Sequence, residues 1–209
     1  MSPPVRTDPP YVPIRQTRWA TRRTPWWVLA AVAVVLAGTV LVALVHRPSP
    51  TERAADFRGF LGDMEYDIGS CAGGVPQSLT ALREIESGTS HDTTTAVYIA
   101  TTGASNCSPA NNELLDDLDS YQVTESLASF GLGRVVSGLV AWAAPDAINV
   151  QTDVARILTA PSAQAKAADT TTLRQALRTL DAQRSAVDKI MESANRSLSA
   201  HGTLPNLPG

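Results

Sequence analysis

The chain has 209 residues, with 17 basic against 20 acidic side chains and a formal net charge of −3. Five of the basic residues but only one acid fall in the first 45 residues, leaving 12 basic against 19 acidic for the remainder. So acidic a remainder excludes nucleic acid as a partner, because displacing phosphate counterions needs a basic surface.

Residues 1–25 place Pro3, Pro4, Pro9, Pro10, Pro13 and Pro25 among Arg6, Arg15, Arg18, Arg22 and Arg23. Proline supplies no amide donor and resists helix, so this reads as a disordered, basic cytoplasmic tail. It is too short for a folded output domain, so a sensor carrying its own cytoplasmic effector is not expected.

The run from Trp26 to Val45, WWVLAAVAVVLAGTVLVALV, contains no charged residue. At about 1.5 Å per residue it reaches roughly 30 Å, the hydrocarbon thickness of a bilayer. It is therefore expected to be a single transmembrane signal anchor. Arginine on its N-terminal side outweighs His46, Arg47 and Arg53 on the other, which sets the N-terminus in the cytoplasm and the C-terminal domain outside. Trp19, Trp26 and Trp27 suit the headgroup interface. A cleaved signal peptide fits less well, because the run is long and no small-x-small site follows it. Ala33 and Ala37 form a small-xxx-small pair of the kind that lets spans pair, which would allow a homo-oligomer, but alanine is abundant in this chain and chance explains the pattern better.

Residues 46–50 read as a stiff linker, and 51–202 as one extracytoplasmic domain with a tail at 203–209. Phe57, Phe60, Leu61, Met64 and Ile68 recur at spacings of three and four, which predicts a helix capped by Thr51 and stopped near Gly69 to Gly74. Val75-Pro76 then opens a second helix, ended by Gly88. The stretch 90–107 carries β-branched residues that favour a strand. Ala96, Ile99, Ala100, Gly103 and Cys107 nevertheless share one helical face, with Ser90 or Asp92 as cap, and helix is the reading adopted.

Ser108-Pro109 is expected to start a helix through Leu114, Leu115, Leu118 and Tyr121. A short segment follows from Thr124, interrupted by Gly131 and Gly133. Leu132, Val135, Val136, Leu139 and Trp142 make an apolar helix that Pro145 ends. Ala147, Val150, Val154, Ile157 and Leu158 make the next, ended by Pro161. The Ala-rich stretch 161–169 reads as a linker. In the last helix Leu173, Leu177, Leu180, Arg184, Val187, Met191, Ala194 and Leu198 alternate steps of four and three. The expected fold is all-α, a bundle of about five or six helices. Leu177, Arg184, Val187 and Met191 are its candidate interaction seam, with Arg184 either snorkelling to solvent or meeting a carboxylate.

Cys71 and Cys107 are the two cysteines of the chain. In an oxidising exterior they are expected to form a structural disulfide, since redox pairs are usually closely spaced. No Gly-x-Ser-x-Gly elbow, histidine pair of zinc spacing or strand-preceded glycine loop occurs, so no cofactor or metal is expected. The acids Glu113, Asp116, Asp117 and Asp119 alternate with leucines at helical spacing and read as a solvated face. An unfamiliar acid–base site there is the alternative.

Two functional expectations follow. One is a non-enzymatic binding or scaffold module, held at the membrane of a bacterial envelope and contacting a protein or envelope component. The other is an envelope enzyme working through that carboxylate cluster, or a ligand-sensing outer domain working through a separate membrane partner.

Overall fold

The computed structural model describes residues 32–35 and 48–208. Residues 1–47 and 48–209 form two separate units. In the first, 32–35 are helical. The remainder of the expected span at 26–45, the basic tail at 1–25 and residues 46–47 of the linker lie outside the described residues. Among the described residues no helix is long and apolar enough to cross a membrane, and no strand occurs.

The second unit is all-α, built from six α-helices. The first, α1, is Pro50–Ser87. Its cap is Ser49, and not Thr51 as the sequence suggested. The Ser49 hydroxyl accepts from the Glu52 amide at 3.2 Å, and the Glu52 carboxylate accepts from the Ser49 amide at 2.6 Å. This reciprocal box satisfies two free donors and leaves Pro50 in the first turn, where its missing N–H costs nothing.

The expected break at Gly69 to Gly74 does not occur. The helix runs on through Pro76 to Gly88, whose φ of 73° closes it. Cys71, Gly74 and Val75 are buried, so the residues that resemble a stop are packing sites. Tertiary contact outweighs their poor helix propensity.

Helix α2, Thr93–Asn106, settles the ambiguous stretch as helix. Asp92 caps it, accepting from the Thr95 amide at 2.9 Å and the Thr95 hydroxyl at 2.6 Å. Its buried face is Ala96, Ala100 and Gly103, small enough for α1 to approach closely.

Helix α3 is Glu113–Ser120 and starts later than Ser108-Pro109 implied. Its cap is Asn112, which accepts from the Leu114 amide at 3.2 Å. The Asn112 side-chain amide also donates to the Asn106 carbonyl at 2.7 Å and to Ser70 at 3.1 Å. Those bonds tie the start of α3 back to the end of α2 and to α1, so Ser108 and Pro109 fall in the connecting turn.

A 3-10 turn, Glu125–Phe130, leads into α4, Leu132–Ala141. Pro145 ends this helix as expected: in the kinked segment Trp142–Ala147 the residue before it, Ala144, is extended, so the helical course breaks there before α5 begins. The Ala144–Pro145 bond is cis. Helix α5 is Ile148–Thr159. The Ala-rich stretch expected to be a linker belongs to α6, Ala163–Leu198, where Ser162 caps by accepting from the Ala165 amide at 3.1 Å. Alanine is the strongest helix former, and a cap directly before it starts the helix early.

The core gathers Phe57, Met64, Leu118, Leu139, Trp142 and Met191, each essentially inaccessible. The residues from 203 onward, expected to be loose, are drawn in. Pro205 is buried and Leu207 belongs to the core. Just before them, Asn195 accepts from the Gly202 amide at 3.1 Å and donates to the Gly202 carbonyl at 2.9 Å, which fixes the reversal after α6.

Candidate functional site

Cys71 of α1 and Cys107, directly after α2, are joined by a disulfide, their Cα atoms 4.6 Å apart. Around it lies a closed polar knot. Gln151 of α5 is wholly buried and donates to Cys107 Sγ at 3.1 Å and to the Ala147 carbonyl at 3.3 Å. The Ser78 hydroxyl is shared between the Gly74 carbonyl at 2.8 Å and Gln151 Oε1 at 3.3 Å. Gly74 and Gly103 press against the same amide. A Cβ on Gly103 would stand 1.7 Å from Gln151 Oε1. Each polar group here has a partner, so the knot joins three helices and offers nothing to a ligand.

The seam of α6 is filled from within. Val187 and Met191 are buried in the core, and Leu177 is half-buried. Arg184 is half-buried and pairs with Asp181, one turn earlier on its own helix, not with a carboxylate across an interface. Val187 faces Gly138 of α4, where an added Cβ would lie 2.6 Å from its methyl group. These residues hold α4 to α6.

The carboxylates Glu113, Asp116, Asp117 and Asp119 all stand exposed on α3. The neighbouring acidic surface includes Asp63, which accepts from the Tyr121 hydroxyl at 3.1 Å. Partial burial, together with that bond, pushes the Tyr121 phenol up to about 12. Partial burial, then the charges of Asp63 and Asp117, raise the Asp67 carboxyl above its ordinary value. Among the described residues no group of three or more His, Cys, Asp and Glu side chains is placed to hold a metal ion.

A different arrangement lies between α5 and α6. Asp146, Asn149, Asp153 and Arg156 follow one another at helical spacing along the kinked segment and α5. Thr172, Gln175, Ala176 and Thr179 face them from α6, and together they line a cleft of about 330 Å³. Asp153 is 1% exposed. Its Oδ1 is paired with Arg156, whose side chain is 54% exposed, while its Oδ2 is buried with no hydrogen-bond partner. Burial also raises the Asp146 carboxyl above its ordinary value. A buried carboxylate with one oxygen unmatched is costly unless something completes it.

No family model matches this chain, nor does any curated protein or solved structure.

In the sequence the apolar face of this helix, Val150, Val154 and Ile157, dominates the pattern and obscures Asp153. The polar stripe at steps of three and four, from Asp146 to Arg156, was available as a signal. Its facing partner, Thr172 to Thr179, shows the same helical spacing.

Proposed function

We propose that this chain is a single-pass, membrane-anchored helical domain that serves as a non-enzymatic binding or scaffold module in a bacterial cell envelope. Its N-terminus lies in the cytoplasm and residues from about 48 onward lie outside. The observation that carries this reading is the Cys71–Cys107 disulfide, in a helical unit whose cap, Ser49, follows the apolar run by four residues. Disulfides persist in oxidising exteriors and are rare in reducing cytosol.

Binding is favoured over catalysis because the acids Glu113, Asp116, Asp117 and Asp119 stand in water on α3. General acid–base work favours a carboxylate withdrawn from water, and these four are not. The partner is a protein or a cell-envelope component.

The test is cross-linking in intact cells, followed by capture of the full-length protein and identification of what accompanies it. A parallel strain carries residues 48–209, with the Ser49 cap intact, on an unrelated membrane anchor. A reproducible partner that survives the anchor exchange supports a binding role for the helical unit. A partner lost on exchange would assign binding to the span or tail, and the absence of any specific partner would overturn the reading.

A further inference from the structure

We infer that the cleft between α5 and α6 binds a small ligand through an ammonium group, with Asp153 as its anchor. The inference does not depend on the proposed envelope partner and is tested separately from it.

The starting point is the unmatched Oδ2 of Asp153, a side chain that lines the cleft and is 1% exposed. An oxygen so placed needs a hydrogen-bond donor, preferably a charged one. Arg156 supplies only Oδ1, from three residues along the same helix, and its own side chain is half in solvent. It can therefore swing away without repacking the core, which opens the carboxylate to an incoming cation.

The remaining lining selects the sign of the ligand. Asp146 adds a second carboxylate, and Asn149, Gln175, Thr172 and Thr179 are neutral. Among the described residues Arg156 is the only cation lining the cleft, and it is already committed to Asp153. An anion would meet two carboxylates. A cation would meet both, flanked by amides and hydroxyls able to orient a polar body. The partial burial of Asp146 makes a neighbouring positive charge more welcome there, because that charge offsets the desolvation of the carboxylate. A volume of about 330 Å³ lies at the lower end of small-molecule sites, the size of a diamine or an amino sugar. An ammonium group is compact and carries three donors, enough for Oδ2 with donors left for the neighbouring oxygens.

The test uses the full-length protein in lipid nanodiscs, with 1,4-diaminobutane, glucosamine and ethanolamine as probes and succinate as the anionic control. Binding is read by calorimetry and by chemical-shift changes in the backbone amides. Saturable binding of at least one amine is expected, with shifts confined to residues 146–156 and 172–179 and none from succinate. Asp153→Asn keeps the shape and should weaken that binding by about tenfold or more, the loss of a charged hydrogen-bond partner. Arg156→Gln removes the internal competitor and should tighten it, while Asp117→Asn on α3 should leave it unchanged. Should Asp153→Asn fail to fold, Arg156→Gln decides the matter alone. No saturation by any amine at millimolar concentration would overturn the inference. So would amine binding that Asp153→Asn leaves intact, or binding that Arg156→Gln abolishes.

Discussion

Two buried polar residues sit two positions apart on α5 and point to opposite sides of it. Gln151 faces α1 and α2, wholly buried, with its amide hydrogens given to Cys107 and Ala147 and its oxygen met by Ser78. Asp153 faces α6 and is as deeply buried, yet one of its oxygens has no partner. Burial is the same and satisfaction is not. A matched polar group inside a protein acts as a fastener, because breaking it strands donors and acceptors away from water. An unmatched one marks a place where something else can enter. The glycines sharpen the contrast: Gly74 and Gly103 close the Gln151 side so tightly that no atom can be added, whereas the Asp153 side opens into a cleft.

If the Gln151 side is the rigid one, the largest loss should come from its staple. Replacing both Cys71 and Cys107 by Ser reopens a loop spanning 36 residues and should cost about 3–4 kcal/mol in urea unfolding of the helical unit. A loss below about 1 kcal/mol would mean that the knot does not depend on its disulfide. Next, Gly103→Ala drives a methyl group into the Gln151 amide and should cost about 2–3 kcal/mol, from overpacking and from the bonds that Gln151 gives up. On the other side, Asp153→Asn should change stability by no more than about 1 kcal/mol, since it removes the buried charge and leaves Arg156, whose side chain is 54% exposed, in water. A loss as large as that of Gly103→Ala would erase the distinction between the two sides.

Gly69→Ala repeats the glycine substitution on α1, where an added Cβ meets nothing within 4 Å. It should raise stability by about 0.5–1 kcal/mol, the entropy that glycine costs inside a helix. The smallest effect belongs to Asp67→Asn, away from both sides of α5. Asp67 and Asp63 are like charges one turn apart, and relieving them is worth about 0.2–0.5 kcal/mol at neutral pH. The sign follows from linkage. The folded-state value of Asp67 is raised, so its ionisation opposes folding at neutral pH. That penalty fades as the pH falls through the raised value toward about 4, where the unfolded carboxyl also takes up its proton. The advantage of Asp67→Asn in thermal melting should shrink over the same interval.

The sequence made local patterns legible. The all-helical class, the helix across 93–106 and the seam of α6 follow from spacing at three and four. The pairing of Cys71 with Cys107 follows from there being two cysteines in an expected exterior. What it hid depends on residues distant in the chain. Gly69 to Pro76 looks like a helix end because glycine and proline are poor helix formers. The helix continues because Gly74 is where Gly103 and Gln151 dock, contacts that no local window contains. Ser108-Pro109 is a sound local start that loses to Asn112, whose side chain is anchored on Ser70. The cleft is legible in part, through the polar stripe from Asp146 to Arg156, but its depth is not. That Asp153 is buried is decided by how α5 packs on the rest of the fold, and no residue near it in sequence reveals that.

Helix α1 packs against α2, α3, the 3-10 turn, the kinked segment, α5 and α6. It is also the first of these elements to be synthesised. Its apolar face, with Phe57, Phe60, Leu61, Met64 and Ile68, is therefore not fully covered until α6 is complete at Leu198, about 110 residues after Ser87. At ordinary translation speeds that wait lasts on the order of ten seconds. Cys71 likewise has no partner thiol until Cys107 arrives. Substitutions that make this face stickier should thus lower the yield of folded protein, through aggregation of the nascent chain, even where the finished domain is no less stable.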